Sequence, residues 1–530
     1  MTPTAAPAQY TVHQWWQGLA AEAATAAPRP LRPVTSPIDG RLLGQVPACA
    51  PDDVRHAAAV ARRAQGGWAA MKPSRRADVI VRFKDLLRAN RDELLDLVHA
   101  ENGKSRTGAL EEFLDALLTA GYYAAKAPRW LGRERRKGAI PGLTSTYVHH
   151  LAKGVVGVIA PWNYPLTLAA SDAVPALLAG NAVILKPDSL TPLTGLFVVK
   201  LLRQAGLPPG VVQAVTGPGA ELGGPIIEAS DFVMFTGSTA VGREVAAQCG
   251  RRLIGSSMEL GGKNALLVLD DAPLERAVEG AVQASFANTG QLCVSIERIY
   301  IDQGLYPAFR QAFAARAAEL RLGGGGGWEV DLGPLISPGQ LAKVEAHVDG
   351  AVAQGARLVA GGRRREDLGP LFYEPTVLEG VTGAMAVARE ETFGPVVSLY
   401  PVASETEAIA LANDSDQGLN AAVWTASPAR GRRVAERLRA GTVNINEGYA
   451  AAWGSTDAPM GGFGLSGLGR RHGVEGLEKY TEPQTVARQR GLLLGPPSWT
   501  SRQNYARVMT LGSQYLHVTA RELIRKAAGR

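Results

Sequence analysis

Three side chains of this 530-residue chain have the types needed to work on a carbonyl carbon: Cys293, Asn163 and Glu259. Cys293 closes the segment Asn288-Thr289-Gly290-Gln291-Leu292-Cys293, between a run read as helix (281–287) and a β-branched run read as strand (295–301). A thiol at such a junction lies near backbone N–H groups that can stabilise a thiolate or a developing oxyanion. Taken alone, a buried structural cysteine is the commoner meaning of the pattern. Asn163 sits in Pro161-Trp162-Asn163-Tyr164-Pro165, directly after an apolar strand, where parallel sheets place ligands. Its amide is a neutral donor suited to a transient alkoxide; a turn asparagine is the plainer alternative. Glu259, in Glu259-Leu260-Gly261-Gly262-Lys263, ends a strand before a glycine hinge and has no obvious salt-bridge partner nearby in sequence. That suits a general base, against the alternative of a surface acid at a domain junction.

Two further segments suit an anionic ligand. Phe235-Thr236-Gly237-Ser238-Thr239-Ala240-Val241-Gly242 runs from strand into helix, and the free N–H groups of a helix start can hold a phosphate. It is not the GxGxxG fingerprint and is weak by itself. Glu391-Thr392-Phe393-Gly394-Pro395 presents an acid and an aromatic on a rigid turn. Gly323 to Gly327 reads as a surface turn, because it lacks the strand–loop–helix setting and the lysine of a phosphate cradle.

The elements that must position these groups alternate. Residues 1–50 are Ala/Pro-rich with helix potential at 13–24, and helices follow at 51–64, from a cap at Ser74, at 92–99 and at 111–125. From Val155 the chain becomes apolar strand, helix, strand: strands at 155–160, 182–186, 211–215 and 231–235, helices at 167–178, 193–204 and 239–248. Fully apolar strands alternating with helices indicate an α/β fold with a parallel sheet covered on both faces. The alternation restarts after Gly261-Gly262, giving a second α/β domain that carries Cys293. The segment 144–151 reads as a strand outside this pattern, suited to an oligomer edge.

Composition narrows the class. A 46% hydrophobic and 20% charged chain of this length is globular and needs more than one core. Cys49, Cys249 and Cys293 are far apart, with no metal-ligand or disulfide spacing, which suits a reducing compartment. No signal-like start and no membrane-length apolar run is present, so a cytoplasmic location is expected. The net charge of +7 is scattered among acids and accompanies no nucleic-acid motif.

Together, Pro161-Trp162-Asn163-Tyr164-Pro165, Phe235-Thr236-Gly237-Ser238-Thr239, Met258 to Asn264, Asn288 to Cys293 and Glu391 to Val397 resemble the aldehyde dehydrogenase superfamily, over about residues 30–490. The resemblance implies two parallel-sheet α/β domains, a Rossmann-like cofactor domain (1–132 and 153–261) and a catalytic domain (262–460). It adds a small β oligomerisation arm (133–152 and 475–490), usually in homodimers or homotetramers, and leaves a basic extension at 491–530. By the same resemblance Cys293 is the nucleophile that forms a thiohemiacetal and then a thioester. Asn163 and the Cys293 N–H hold the oxyanion, and Glu259 activates the hydrolytic water. Glu391 holds the nicotinamide ribose with Phe393 beside it, Lys186 reaches the adenosine ribose, Gly237 and Ser238 lie by the pyrophosphate, and Trp162 belongs to the cofactor-binding set. Where many NAD-preferring members carry a glutamate, this chain has Ser189; with Lys186 retained, NADP is expected to be preferred and NAD accepted.

Lys186-Pro187-Asp188-Ser189, Cys293 to Arg298 and Pro459-Met460-Gly461-Gly462 resemble the actinobacterial second-type succinate-semialdehyde dehydrogenases, which makes succinate semialdehyde the expected substrate. Two arginines that better-known semialdehyde enzymes use to clamp the substrate carboxylate are replaced by Ser171 and Ala287. An uncharged aldehyde in a pocket of Trp162, Leu168, Phe286, Trp453 and Phe463 is the alternative. Retention of Glu259 argues against acyl transfer to coenzyme A, and the intact triad against a non-catalytic nucleotide-binding protein. In the tail, Val508, Leu511, Tyr515, Leu516, Val518, Leu523 and Ile524 recur at near-helical spacing among basic residues. That helix is expected to pack on protein, with contact to a membrane surface as the sharper alternative.

Overall fold

The computed structural model describes residues 10–140, 143–491 and 495–516. The first sheet is built from β1 (Val155–Ile159), β2 (Ala182–Lys186), β3 (Val212–Ala214), β4 (Phe232–Thr236) and β5 (Gly255–Glu259). They are parallel in the order β5-β4-β1-β2-β3. Every residue of β1 and β2 is buried, as a sheet covered on both faces requires. The second sheet contains β6 (Asn264–Val268), β7 (Ile296–Asp302), β8 (Arg357–Ala360), β9 (Thr376–Glu379), β10 (Val396–Val402), β11 (Asn420–Trp424) and β12 (Thr442–Ile445). Its order is β8-β9-β10-β7-β6-β11-β12, parallel except for the edge strand β8. The short β13 (Gly467–Leu468) returns to pair antiparallel with β5, so Gly467 faces Glu259 across the ladder. This late crossover places residues near 470 beside the end of β5.

Both sheets belong to one compact unit, 10–128 with 152–480. The other unit takes 129–151 and the chain from Thr481 onward. Its three strands, Glu134–Arg136, Thr144–Ala152 and Thr481–Gln489, form a small sheet, followed by a helix at Arg502–Leu516 on which Val508 and Leu511 are exposed. The expected apolar positions Val518, Leu523 and Ile524 lie outside the described residues. Among the described residues no helix is long and apolar enough to cross a membrane.

Several local expectations are corrected. Residues 14–22 form a 3-10 helix, and the lead-in is not all helical: Leu31–Thr35 pairs antiparallel with Leu42–Pro47. The turn between them uses Gly40 at φ +75°. Ser74 caps nothing; the helix Pro73–Ala89 starts from Lys72, with proline in its first turn. A helix at Gly219–Ala229 had no clear periodic signal, because Gly223, Gly224 and Pro225 interrupt it.

The helices α1 (Arg106–Trp130), α2 (Pro165–Leu178) and α3 (Pro192–Gln204) show how the lead-in supports the first sheet. α2 and α3 begin with proline, and neither preceding residue, Tyr164 or Thr191, caps with its own side chain. Remote carboxylates do so instead. Glu112 of α1 accepts the N–H groups of Leu166 (2.9 Å) and Thr167 (3.1 Å), while Glu101 accepts those of Leu193 (2.6 Å) and Thr194 (2.9 Å). A buried carboxylate is stabilised by the positive end of a helix, and it satisfies donors that would otherwise be orphaned.

Candidate active site

Cys293 leaves α4 (Leu274–Phe286) through a tight turn in which Asn288 and Thr289 have φ near +51° and +57° and Gly290 +69°. A Cβ on Gly290 would run into the Gly394 carbonyl, so glycine is required there for close approach as well as conformation. The loop is held by amides. Asn264 Nδ2 donates to the carbonyls of Cys293 and Ser295, both at 2.8 Å, and Asn264 Oδ1 accepts from Asn420 N–H at 3.0 Å. Asn420 Nδ2 in turn donates to the Val294 carbonyl at 3.0 Å. Asn163 is tied to the same loop: its Nδ2 donates to the Gln291 carbonyl at 3.1 Å, and its own carbonyl accepts from Asn288 Nδ2 at 3.2 Å. An amide nitrogen carries two protons, so the second remains to meet a substrate oxygen. Lys104, fully buried and ion-paired with Glu112, also donates to the Asn163 carbonyl at 2.7 Å.

Cys293, Asn163 and Glu259 line one cavity of about 190 Å³ together with Trp162, Gly237, Ser238, Glu391 and Phe393. Three remote segments and the two anion-suited ones therefore converge. Leu168 and Trp453 of the expected apolar wall are also there. Phe286 and Phe463 are not. Phe286 is buried 5.9 Å from Phe313 and lines a different cavity; Phe463 sits exposed in a short pairing with Gly418. Helical register turned the first into core, and the excursion to β13 carried the second outward.

The electrostatics follow burial. Glu259 has an oxygen, Oε1, buried without a hydrogen-bond partner, and desolvation pushes its carboxyl up to about 7 against the pull of Arg471 and Lys479. The Cys293 thiol is pushed up to about 12 by burial, with Arg471 opposing and Glu391 and Glu259 adding. Glu391 is raised to about 7 by burial and by nearby Glu297, while it accepts the Gly262 N–H at 3.0 Å. A Cβ on Gly261 would collide with that carboxylate. The turn carrying Glu391 and Phe393 is itself held by Glu297, which accepts N–H groups of Thr392 (2.9 Å) and Phe393 (3.0 Å) and pairs with buried Lys263. Phe393, at φ +56°, meets Trp162 edge to face at 5.4 Å.

The residues of this wall suit the phosphates of a dinucleotide. Thr236, Gly237 and Ser238 line the cavity at the N-terminus of the helix Thr239–Arg251, whose cap is Ser238 accepting from Val241 N–H. A larger cavity of about 680 Å³ shares Lys343 and Glu391 with the first. Lys186 and Ser189 lie away from the 190 Å³ cavity. Lys186, buried at the end of β2, donates to the Pro187 carbonyl at 3.0 Å and is depressed by burial; Ser189 Oγ donates to the Gly217 carbonyl at 3.4 Å. Residues that sequence reasoning passed over are Lys104, Glu112, Glu297 and Arg471. Glu297 stood inside the quoted segment Cys293 to Arg298 without a role, and Arg471 stood with Arg470 as a basic pair after Pro459-Met460-Gly461-Gly462.

Known proteins resemble this chain over most of its length. The profile described as "Aldehyde dehydrogenase family" matches residues 24–486. A protein of Mycolicibacterium smegmatis with the provisional name succinate-semialdehyde dehydrogenase [NADP(+)] is 52% identical over 482 residues, 91% of this chain and 93% of its own. Glutarate-semialdehyde dehydrogenase of Pseudomonas putida is 38% identical over 454 residues, covering 85% and 92%. The crystal structure of betaine aldehyde dehydrogenase from Staphylococcus aureus with NAD+ superposes at TM-score 0.85 with 32% identity, covering 92% of this chain and 99% of that one. With the family profile matching most of its length and relatives this similar across nearly their whole chains, this protein is an oxidoreductase of the aldehyde dehydrogenase family.

Proposed function

We propose that the chain oxidises succinate semialdehyde to succinate with NADP as preferred cofactor and NAD as a second, using Cys293, Asn163 and Glu259. The observation that carries the chemistry is their shared cavity. The substrate and NADP preference draw support from the 52%-identical relative's name. Cys293 Sγ, its proton passed to solvent, attacks the aldehyde carbon, and the aldehyde oxygen, now an alkoxide, is met by the free Asn163 N–H and the Cys293 N–H. When bound, NADP would accept the hydride that the thiohemiacetal carbon loses as it becomes a thioester. Glu391 and the Trp162–Phe393 pair would hold the ribose and ring end of the cofactor, Gly237 and Ser238 the phosphates, and Lys186 and Ser189 the adenosine ribose. Glu259 then takes a proton from water, whose oxygen attacks the Cys293 thioester and releases the acid.

A homodimer or homotetramer in the cytoplasm, assembled through the strands at 144–152 and 481–489, completes the reading. In an assay at 340 nm with an aldehyde panel and both cofactors, succinic semialdehyde with NADP should give the highest kcat/KM. Faster turnover of an uncharged aldehyde, or a strong preference for NAD, would reject the corresponding part.

A further inference from the structure

The carboxylate of such a substrate needs a cation, and the two arginine positions expected to provide one do not. Ala287 has no donor, and Ser171 Oγ donates to buried Asp115 Oδ2 at 3.2 Å. That corner is acidic: Glu111, bonded by Tyr449 Oη at 3.2 Å, lies one helical turn from Asp115. A second carboxylate there would be repelled.

The cavity wall carries two cations, Lys343 and Arg471. Lys343 is exposed and also lines the larger neighbouring cavity with Glu390 and Glu391. Arg471 has a side chain only 11% exposed. Its Nη2 donates to Asp172 Oδ2 and to Thr236 Oγ1, both at 2.6 Å, while its Nε is buried without a hydrogen-bond partner. A guanidinium has five N–H donors; here two acceptors take the Nη2 protons and Nε is enclosed, which leaves the Nη1 donors for a ligand in the cavity. A carboxylate oxygen is the acceptor that gains most from such a charged N–H donor. Lys479, with Nζ 3.3 Å from Ser257 Oγ, adds positive charge beside the same strand β5. Asp172 is in direct contact with the guanidinium and anchors it through Nη2.

We propose that Arg471 binds the distal carboxylate of an ω-carboxy aldehyde, in place of the absent arginine clamp. The inference rests on the reading of the enzyme as a semialdehyde dehydrogenase. Succinic semialdehyde and butanal share chain length and differ in the terminal carboxylate, so the ratio of their kcat/KM values reads the contact. The double variant Asp172→Asn/Arg471→Met removes both members of the ion pair and leaves no buried charge alone. It should lower that ratio by roughly 10- to 100-fold, mainly through KM for succinic semialdehyde, the range for losing a charged hydrogen bond. Arg471→Lys, which keeps the charge but not the guanidinium, should lower it less, and Asp172→Asn alone should preserve it. Succinate should inhibit the wild type competitively and the double variant far more weakly. An unchanged ratio in both Arg471 variants overturns the proposal, as does an equal loss for both aldehydes, which would mean that Arg471 acts through Cys293 or Glu259. Wild type that turns over butanal or 4-aminobutanal better than succinic semialdehyde overturns the underlying substrate reading, and the proposal with it, before any variant is made.

Discussion

At the scale of single residues, Glu259 shows the cost of a base kept dry. Burial raises its folded pKa from 4.5 to about 7. Between those values the native state keeps a proton that the unfolded chain has lost, so the stability it contributes at low pH is lost as pH rises through this window. Glu259→Gln should therefore raise Tm at pH 8 relative to wild type and change it little at pH 4. It should also leave a burst of one reduced cofactor per Cys293 while steady-state turnover falls by about 10² to 10⁴. Stopped-flow absorbance at 340 nm separates the two. In wild type the hydrolytic step should rise with pH through about 7, since only the carboxylate accepts a proton. Removing the oxyanion donor with Asn163→Ala should lower kcat by about 10² to 10³ without eliminating cofactor binding, measured by fluorescence titration.

Elements decide whether those residues meet. The catalytic loop is hung from two asparagines, Asn264 at the start of β6 and Asn420 at the start of β11, which face each other through the 3.0 Å Asn264–Asn420 bond. Asn264→Ala leaves the Cys293 and Ser295 carbonyls and the Asn420 N–H without this partner. It should cost about 1–3 kcal/mol per buried group left unsatisfied, seen in denaturant unfolding. Turnover should fall with it because Cys293 loses its register. On the other side Lys104 and Glu112 join α1, the start of α2 and the Asn163 carbonyl. Breaking that fully buried pair with Lys104→Met should destabilise by roughly 3–5 kcal/mol, far more than loss of any surface pair.

The whole molecule separates the chemistry from the arm. Every residue assigned to the site lies in the unit 10–128 with 152–480, while the chain beyond Thr481 belongs to the other. Deleting 491–530 removes the helix at Arg502–Leu516 but keeps the strand Thr481–Gln489. The truncated enzyme should retain kcat/KM, and both forms should pellet equally with anionic liposomes if the exposed Val508 and Leu511 face is used for protein packing. Selective pelleting of the full chain would instead assign that basic face to membrane surfaces.

What the sequence determined by itself was local and chemical. The apolar runs 155–159 and 182–185, bounded by turn signals, read as buried strands, and Cys293, Asn163 and Glu259 are recognisable because their chemistry resides in the side chain and its adjoining turn. What only the tertiary structure decided concerns partners distant along the chain. Glu112 and Glu101 cap helices that lie 54 and 92 residues away, and no local pattern announces a cap supplied from elsewhere. Arg471 enters the cavity because β13 pairs with β5 more than 200 residues earlier, while Phe286, apolar in the same way as Leu168, was turned into the core. Periodicity states which face of an element is apolar. Which apolar or charged groups end up around one carbonyl depends on how the sheets are stacked and crossed.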